Sequence, residues 1–278
     1  MGSLDPTWRY NVSIKAVAEK CAYLTRNGEY EKALELLNEA LLMGEANAYL
    51  YRLRAFVYGQ MREYDQAERD LSKAIELDHF SPDSFYERGQ VRMFMGLIEE
   101  AIEDYGEAIR LKPDFARAFS ARAGLYTRRG EFWKALDDIN AALALDPDNP
   151  DYLHNRAVVL TGLKRYGSAI EDYMKVIRLR PNSAGTYNNL AWIYSTADNP
   201  AYRDCRKAIK YAKKALEMAK NPAWMDTLAS AYAECGQFDQ AARIESEAYR
   251  LSNPPNQLFR QRLQAYQKHL INAGEVNG

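Results

Sequence analysis

The chain has 278 residues, 47% hydrophobic and 27% charged, with a formal net charge of −1. A balance this close to neutral gives no global reason to expect nucleic acid as partner, and no apolar run reaches the ~18 residues of a membrane-spanning helix. The opening MGSLDPTWRYN has neither the basic-then-apolar plan of a signal peptide nor, with Pro6 where Ser or Thr is required, a myristoylation signal.

Residues 1–13 read as a lead-in, with Trp8 and Tyr10 placed to pack on the segment that follows. From Ile14 onward a helix–turn–helix pattern recurs with a period of 34 residues. Ala116–Asn149 displays it most fully: Phe119, Ala123 and Tyr126 are spaced i, i+4, i+7, and so are Ala135, Ile139 and Ala142. Each set lies on one face of a helix. Gly130 marks the turn between them and Pro147 closes the second helix. The alanines let two backbones approach while the larger side chains fill the gaps.

The same register covers Ile14–Asn47, Ala48–Ser81, Pro82–Phe115, Pro150–Ser183, Ala184–Asn221 and Pro222–Pro255, seven repeats in all. Cys21 falls on a small core position of the first. Ser81-Pro82, Asn149-Pro150 and Asn221-Pro222 each set an N-cap residue before a proline at the first helical position. The sixth repeat carries an insertion, STADNPAYRDCRK, where its two helices join. A last helix over 256–271, with Leu258, Phe259, Leu263, Tyr266 and Leu270 in one stripe, is expected to cap the array, and 272–278 to form a flexible tail. Cys21, Cys205 and Cys235 are odd in number and form no CxxC, which points to a reducing compartment. The default placement is therefore cytoplasmic, with periplasmic or secreted the alternative if a leader was removed.

Two charged positions recur with the period. Numbering each repeat from its first residue, position 7 is Arg54, Arg88, Arg122 and Arg156, and position 23 is Asp70, Asp104, Asp138 and Asp172. The two types appear and disappear together, as Leu190 with Tyr211 and Leu228 with Ile244 show in the last repeats. An ion pair between the two helices of each hairpin is therefore expected, in preference to an anion-binding row of arginines.

Catalytic and metal-binding signatures are missing. His79, His154 and His269 lie far apart, and there is no HExxH, Cys/His cluster, phosphate-binding glycine loop or G-x-S-x-G elbow. No enzyme activity, cofactor or metal is expected.

The 34-residue period with these marked residues resembles the tetratricopeptide repeat. The sixth repeat, AWIYSTADNPAYRDCRKAIKYAKKA, looks like a variant common in bacterial members, which suggests a bacterial source. The resemblance implies an all-α, right-handed superhelical solenoid whose concave groove is lined by the first helix of each hairpin. Carried over by repeat position, groove residues would be Arg52, Phe56, Tyr86, Gln90, Phe94, Arg117, Arg128, His154, Asn188 and Trp192, with Asp226 further on. Some family members clamp a chaperone's C-terminal carboxylate with Lys and Asn on one first helix. Ala18 and Ala22 stand there in the first repeat, and no other repeat completes the set.

The implied function is a non-enzymatic scaffold holding an extended peptide or a partner helix. Charge is uneven: residues 14–115 carry 13 basic against 20 acidic side chains, and 150–221 carry 13 against 6. That polarity leaves two alternatives. One is self-assembly by stacking of the array ends, giving a homo-oligomer. The other is nucleic-acid binding by the basic face around Arg206, Lys207, Lys210, Lys213, Lys214 and Lys220.

Overall fold

A computed structural model describes residues 6–43 and 47–276, with side chains described for 14–43 and 47–270. Among the described residues it is all-α, with fifteen α-helices, one short 3₁₀ turn and no strand. The chain divides into two compact units, Met1–Leu125 and Tyr126–Gly278. The first contains α1 (Pro6–Arg26), α2 (Tyr30–Met43), α3 (Ala48–Gln60), α4 (Tyr64–Leu77), α5 (Pro82–Met95) and α6 (Ile98–Leu111). The division falls in α7 (Ala116–Arg128). The second contains α8 (Phe132–Leu145), α9 (Pro150–Gly162), α10 (Tyr166–Leu179), α11 (Ala184–Thr196), α12 (Cys205–Met218), α13 (Pro222–Glu234), α14 (Phe238–Leu251) and α15 (Gln257–Val276).

Helices pair because small residues meet at their crossings. Position 8 is Cys21, Ala55 and Gly89 in the first unit and Ala157, Ala191 and Ala229 in the second; all are buried. Position 20 opposite them is Ala33, Ala67, Ala101, Ala169, Ala208 and Ala241, each 0% exposed. Gly89 is the extreme case. A Cβ there would lie 2.8 Å from the ring of Tyr105, which fills position 24 of the same hairpin and is itself fully buried.

Local signals set the ends of the helices. Ser81 accepts from the Ser84 amide, Asn149 from Asp151 and Tyr152, and Asn221 from Ala223, each just before a proline that needs no partner for its missing N–H. Asn47 caps α3 in the same way without a proline. The turn inside a hairpin needs a left-handed residue at position 15. Gly28, Gly96 and Gly236 supply it, but Arg62 (φ 62) and Lys164 (φ 58) adopt it too, a conformation that costs a residue with a Cβ about 1–2 kcal/mol.

Three features depart from the sequence reading. The first helix begins at Pro6, inside the expected lead-in, because proline suits a first helical turn. The side chains of Trp8 and Tyr10 lie outside the described ones. The last helix runs to Val276, into the expected tail, since a lone Gly274 weakens a helix without ending it. The third departure concerns the cysteines. Cys205 and Cys235 form a disulfide with Cα atoms 5.4 Å apart, so their odd number gives no ground for a reducing compartment. The insertion makes the link: after a 3₁₀ turn at Pro200–Tyr202, Asp204 caps α12 through the Lys207 amide and sets Cys205 beside Cys235 at the end of α13. Cys21 stays free and buried in the first core.

The seventh hairpin holds an exception in its core. Position 24 is Leu37, Leu71, Tyr105, Ile139, Tyr173 and, past the insertion, Ala212 elsewhere, but Glu245 here, 0% exposed and without a hydrogen-bond partner for either oxygen. Burial, reinforced by the neighbouring Asp226 carboxylate, pushes its carboxyl up to about 8; Arg262 of α15 opposes this.

Two outcomes follow from this packing. Gly89→Ala lowers stability by about 1–3 kcal/mol in urea denaturation through overpacking against Tyr105, whereas Gly124→Ala, whose Cβ would meet nothing within 4 Å, causes no loss. Glu245 binds its proton more tightly folded than unfolded, so its contribution to stability falls as pH rises from its ordinary value near 4.5 to about 8. Glu245→Gln therefore raises Tm by an amount that grows between those two pH values. A gap that stays constant with pH would refute the assignment.

Candidate functional site

Cations separate into those the fold consumes and those it leaves available. Arg54 holds Asp70 with Nε–Oδ2 and Nη2–Oδ1 both at 2.7 Å; Arg88 holds Asp104 at 3.0 and 2.7 Å; Arg156 holds Asp172 at 2.7 and 2.8 Å. All three pairs join the two helices of one hairpin, and all three aspartates are buried. The remaining nitrogen of each arginine donates to the preceding hairpin: Arg54 to Asn38, Arg88 to Ser72, Arg156 to Asn140. Each guanidinium thus ties two hairpins while its charge is neutralised inside one. Arg92 adds a second donor to Asp104 at 2.9 Å and reaches Glu68 at 2.8 Å. Asp138 is also buried; Arg122, the other member of the fourth expected pair, belongs to the other unit.

Five of the expected groove residues line a single cleft of about 430 Å³ in the first unit: Phe56, Tyr86, Gln90, Phe94 and Arg117. They come from the first helices α3, α5 and α7, whose matching positions fall on one side because the repeats share a register. Phe56 and Phe94 are 56% and 63% exposed, far more than large apolar side chains on a core face. Phe94 stacks on Tyr64 with centroids 5.4 Å apart and is held standing by that contact. Tyr86 is mostly structural: it packs on Tyr105 and Phe115 at 5.7 and 5.1 Å, accepts from Gln90 at 3.2 Å, and has its hydroxyl pKa raised by burial. Arg117 lies over both Tyr86 and Phe115, 5.5 and 5.3 Å from their centroids, and is exposed with no ion pair among the described residues. Arg52 is not available in the same way. Glu87 of the next first helix holds it in a bidentate pair at 2.9 and 2.6 Å.

The second unit does not gather its expected residues as tightly. Trp192, 41% exposed, lines a small hollow of about 130 Å³ with Val158, Thr161, Tyr173 and Asn189. His154 lies edge-on to Tyr173 and shares a 2.9 Å hydrogen bond with Thr186. Burial lowers its pKa, with Asp151 opposing, so it serves as a neutral polar group. Asn188 has a buried side-chain oxygen without a partner, and Arg128 is exposed. Asp226 is taken up by Arg262 at 2.6 Å. Among the described residues no group of His, Cys, Asp and Glu could hold a metal ion, and no helix is long and apolar enough to cross a membrane.

Comparison with known proteins agrees with this architecture. Models of the Tetratricopeptide repeat family match residues 48–79, 86–150 and 150–183. The human Tetratricopeptide repeat protein 28 is 31% identical over 70 residues, 25% of this chain, and the match spans 3% of that protein's length. A tetratricopeptide repeat protein from Parabacteroides merdae superposes with a TM-score of 0.69 at 16% identity, covering 92% of this chain and 99% of the other. YrrB, described as a TPR protein with an unusual peptide-binding site, gives a TM-score of 0.53 at 22% identity over 62% of this chain and 89% of its own.

The two kinds of cation respond differently to removal of charge. Asp104→Ala leaves Arg88 and Arg92 without their buried partner and lowers stability by about 3 kcal/mol. Arg117→Ala changes it by less than about 0.5 kcal/mol, the range of an exposed charge. Urea denaturation of both variants checks the division.

Proposed function

Because the chain is a tetratricopeptide repeat protein, we propose that it is a non-enzymatic scaffold that holds an extended peptide or a partner helix against the first-helix face of its first unit. The observation that carries this reading is the cleft itself, where exposed Phe56 and Phe94 flank an apolar floor and Arg117 stands at its edge without an acidic partner. Folding needs none of these three side chains as they stand, since alanine or leucine would serve. Aromatic anchors beside an available guanidinium are the elements from which peptide-binding grooves draw affinity and orientation. The description of YrrB as a peptide-binding TPR protein supports the same use of the fold. Trp192, His154, Asn188 and Arg128 form a further set of candidate contacts in the second unit. The Arg–Asp pairs are assigned to stability alone.

Self-assembly remains the second reading, favoured by the opposite charge balances of residues 14–115 and 150–221. As to compartment, the Cys205–Cys235 disulfide supports an oxidising one, periplasmic or secreted, over the cytoplasm.

Peptides selected on the immobilised protein from a display library provide the test. Phe56→Ala with Arg117→Ala weakens their binding at least about tenfold and leaves the melting curve in place. Tyr86 is unsuitable for this purpose because it supports Tyr105 and Phe115. Binding that survives the double substitution would locate the groove elsewhere.

A further inference from the structure

A second surface, in the other unit, has its own chemistry. The exposed side of α12 presents Arg206, Lys207, Lys210, Lys213 and Lys214 against one acid, Glu217, and Lys220 follows just beyond the helix. Two of the lysines are paired: Lys207 with Asp204 at 3.1 Å and Lys214 with Glu217 at 2.9 Å. Arg206, Lys210, Lys213 and Lys220 have no acidic partner among the described residues. Beside this row a cleft of about 440 Å³ opens between α10, α11 and α12, lined by Met174, Ile177, Tyr187 and Tyr211 together with Lys210, Lys214 and Glu217, the acid that Lys214 already pairs.

We propose that this face binds an acidic peptide segment of a partner protein, its carboxylates on the lysine row and one apolar side chain in the cleft. Charge complementarity fixes the sign of the occupant. The cleft walls fix the need for an apolar group, which a free inorganic anion lacks. Single-stranded nucleic acid is less well served. Its bases need open aromatic faces, but Tyr211 faces Tyr187 and Tyr194 at 6.1 and 5.9 Å, and Lys207 and Lys210 lie over Tyr194 and Tyr211. Those contacts spend the ring faces and hold the lysines upright at the surface. The alanines that dock α12, Ala208, Ala212 and Ala215, are on its opposite side and fully buried, so the lysine row is not needed for folding. This surface is independent of the cleft in the first unit.

Fluorescence polarisation with a labelled synthetic peptide of glutamates around one phenylalanine tests the proposal, using the full chain. Saturable binding is expected that weakens with salt, is lost when glutamine replaces glutamate, and falls at least about tenfold in Lys210→Glu with Lys213→Glu. Circular dichroism verifies that this variant is folded. Phe56→Ala with Arg117→Ala, at the other cleft, leaves this binding unchanged, so failure of either site is read separately. Absence of saturable binding at low salt overturns the proposal, as does binding indifferent to the lysine substitutions. Tighter binding of a polyuridylate strand, lost with the same lysines, would assign the face to nucleic acid instead. A salt-sensitive dimer in sedimentation velocity that the lysine substitutions abolish would assign it to a second copy of the chain. Either result also overturns the proposal.

Discussion

The close approach of two helices at paired small residues is the constraint on which the rest of the molecule depends. Ala55 against Ala67 or Ala191 against Ala208 leaves no room for a larger group, so the backbones set the spacing and the side chains around them conform. Positions 4, 11 and 24 then receive whatever volume remains, while the outward positions of each first helix carry little of the hairpin's packing, Tyr86 excepted. The hairpin of α5 and α6 shows how tightly these are coupled. Tyr105 takes position 24, where the second hairpin has Leu71, and the crossing residue has shrunk to Gly89 to admit its ring. That coupling is particular to this hairpin, since α9 and α10 place Tyr173 at the same position with Ala157 at the crossing.

Charge is distributed by the same geometry. An arginine at position 7 reaches both its own second helix and that of the preceding hairpin, so one side chain meets a buried carboxylate and a neutral acceptor at once. Burying the aspartates is costly unless the partner is held in fixed geometry, and the bidentate contacts supply that. The same accounting separates Arg52 from Arg117. Both stand on first helices near the cleft, yet Glu87 neutralises Arg52 across two hairpins while Arg117 rests on aromatic rings and keeps its charge for a partner.

Much of this was legible in the chain because the period turns local spacing into tertiary neighbours. Phe119, Ala123 and Tyr126 could be assigned to one face from their spacing alone, and Ser81-Pro82 marked a helix start by the chemistry of two residues. What was not legible was of three kinds. Arg62 and Lys164 sit in left-handed turns because tertiary closure overrides their local preference, so the missing glycine gave no signal. The Arg52–Glu87 pair and the Cys205–Cys235 bond depend on which residues two different repeats bring together, and an insertion shifts that register. Glu245 did carry a signal: a carboxylate at position 24, where the other repeats have Leu, Ile, Tyr or Ala. The candidate cleft was readable as a set of positions. Their burial was not, and Tyr86 proves largely structural where Phe56 and Phe94 are exposed.

The buried acid becomes intelligible from α15, the last described helix. Counting on by one period from Pro222, α15 continues the register: Phe259 falls on position 4, Arg262 on 7, Leu263 on 8 and Tyr266 on 11. Its positions are those of the first helix of a repeat. Arg262 occupies the place of Arg54, Arg88 and Arg156, each of which meets an aspartate of its own hairpin. Its carboxylate comes from the preceding hairpin instead, from Asp226 on α13, which surrenders a groove position to do so. Glu245 lies within the field of that pair, and its position in the core keeps it protonated beside them. The outward face of α15 is polar, with Arg260, Gln261, Gln264, Gln267 and Lys268 exposed. The departure of Arg262 from the pairing rule of the other hairpins is thus bound up with one buried carboxyl, which keeps its proton because burial disfavours its charge and Asp226 already carries the charge that Arg262 balances.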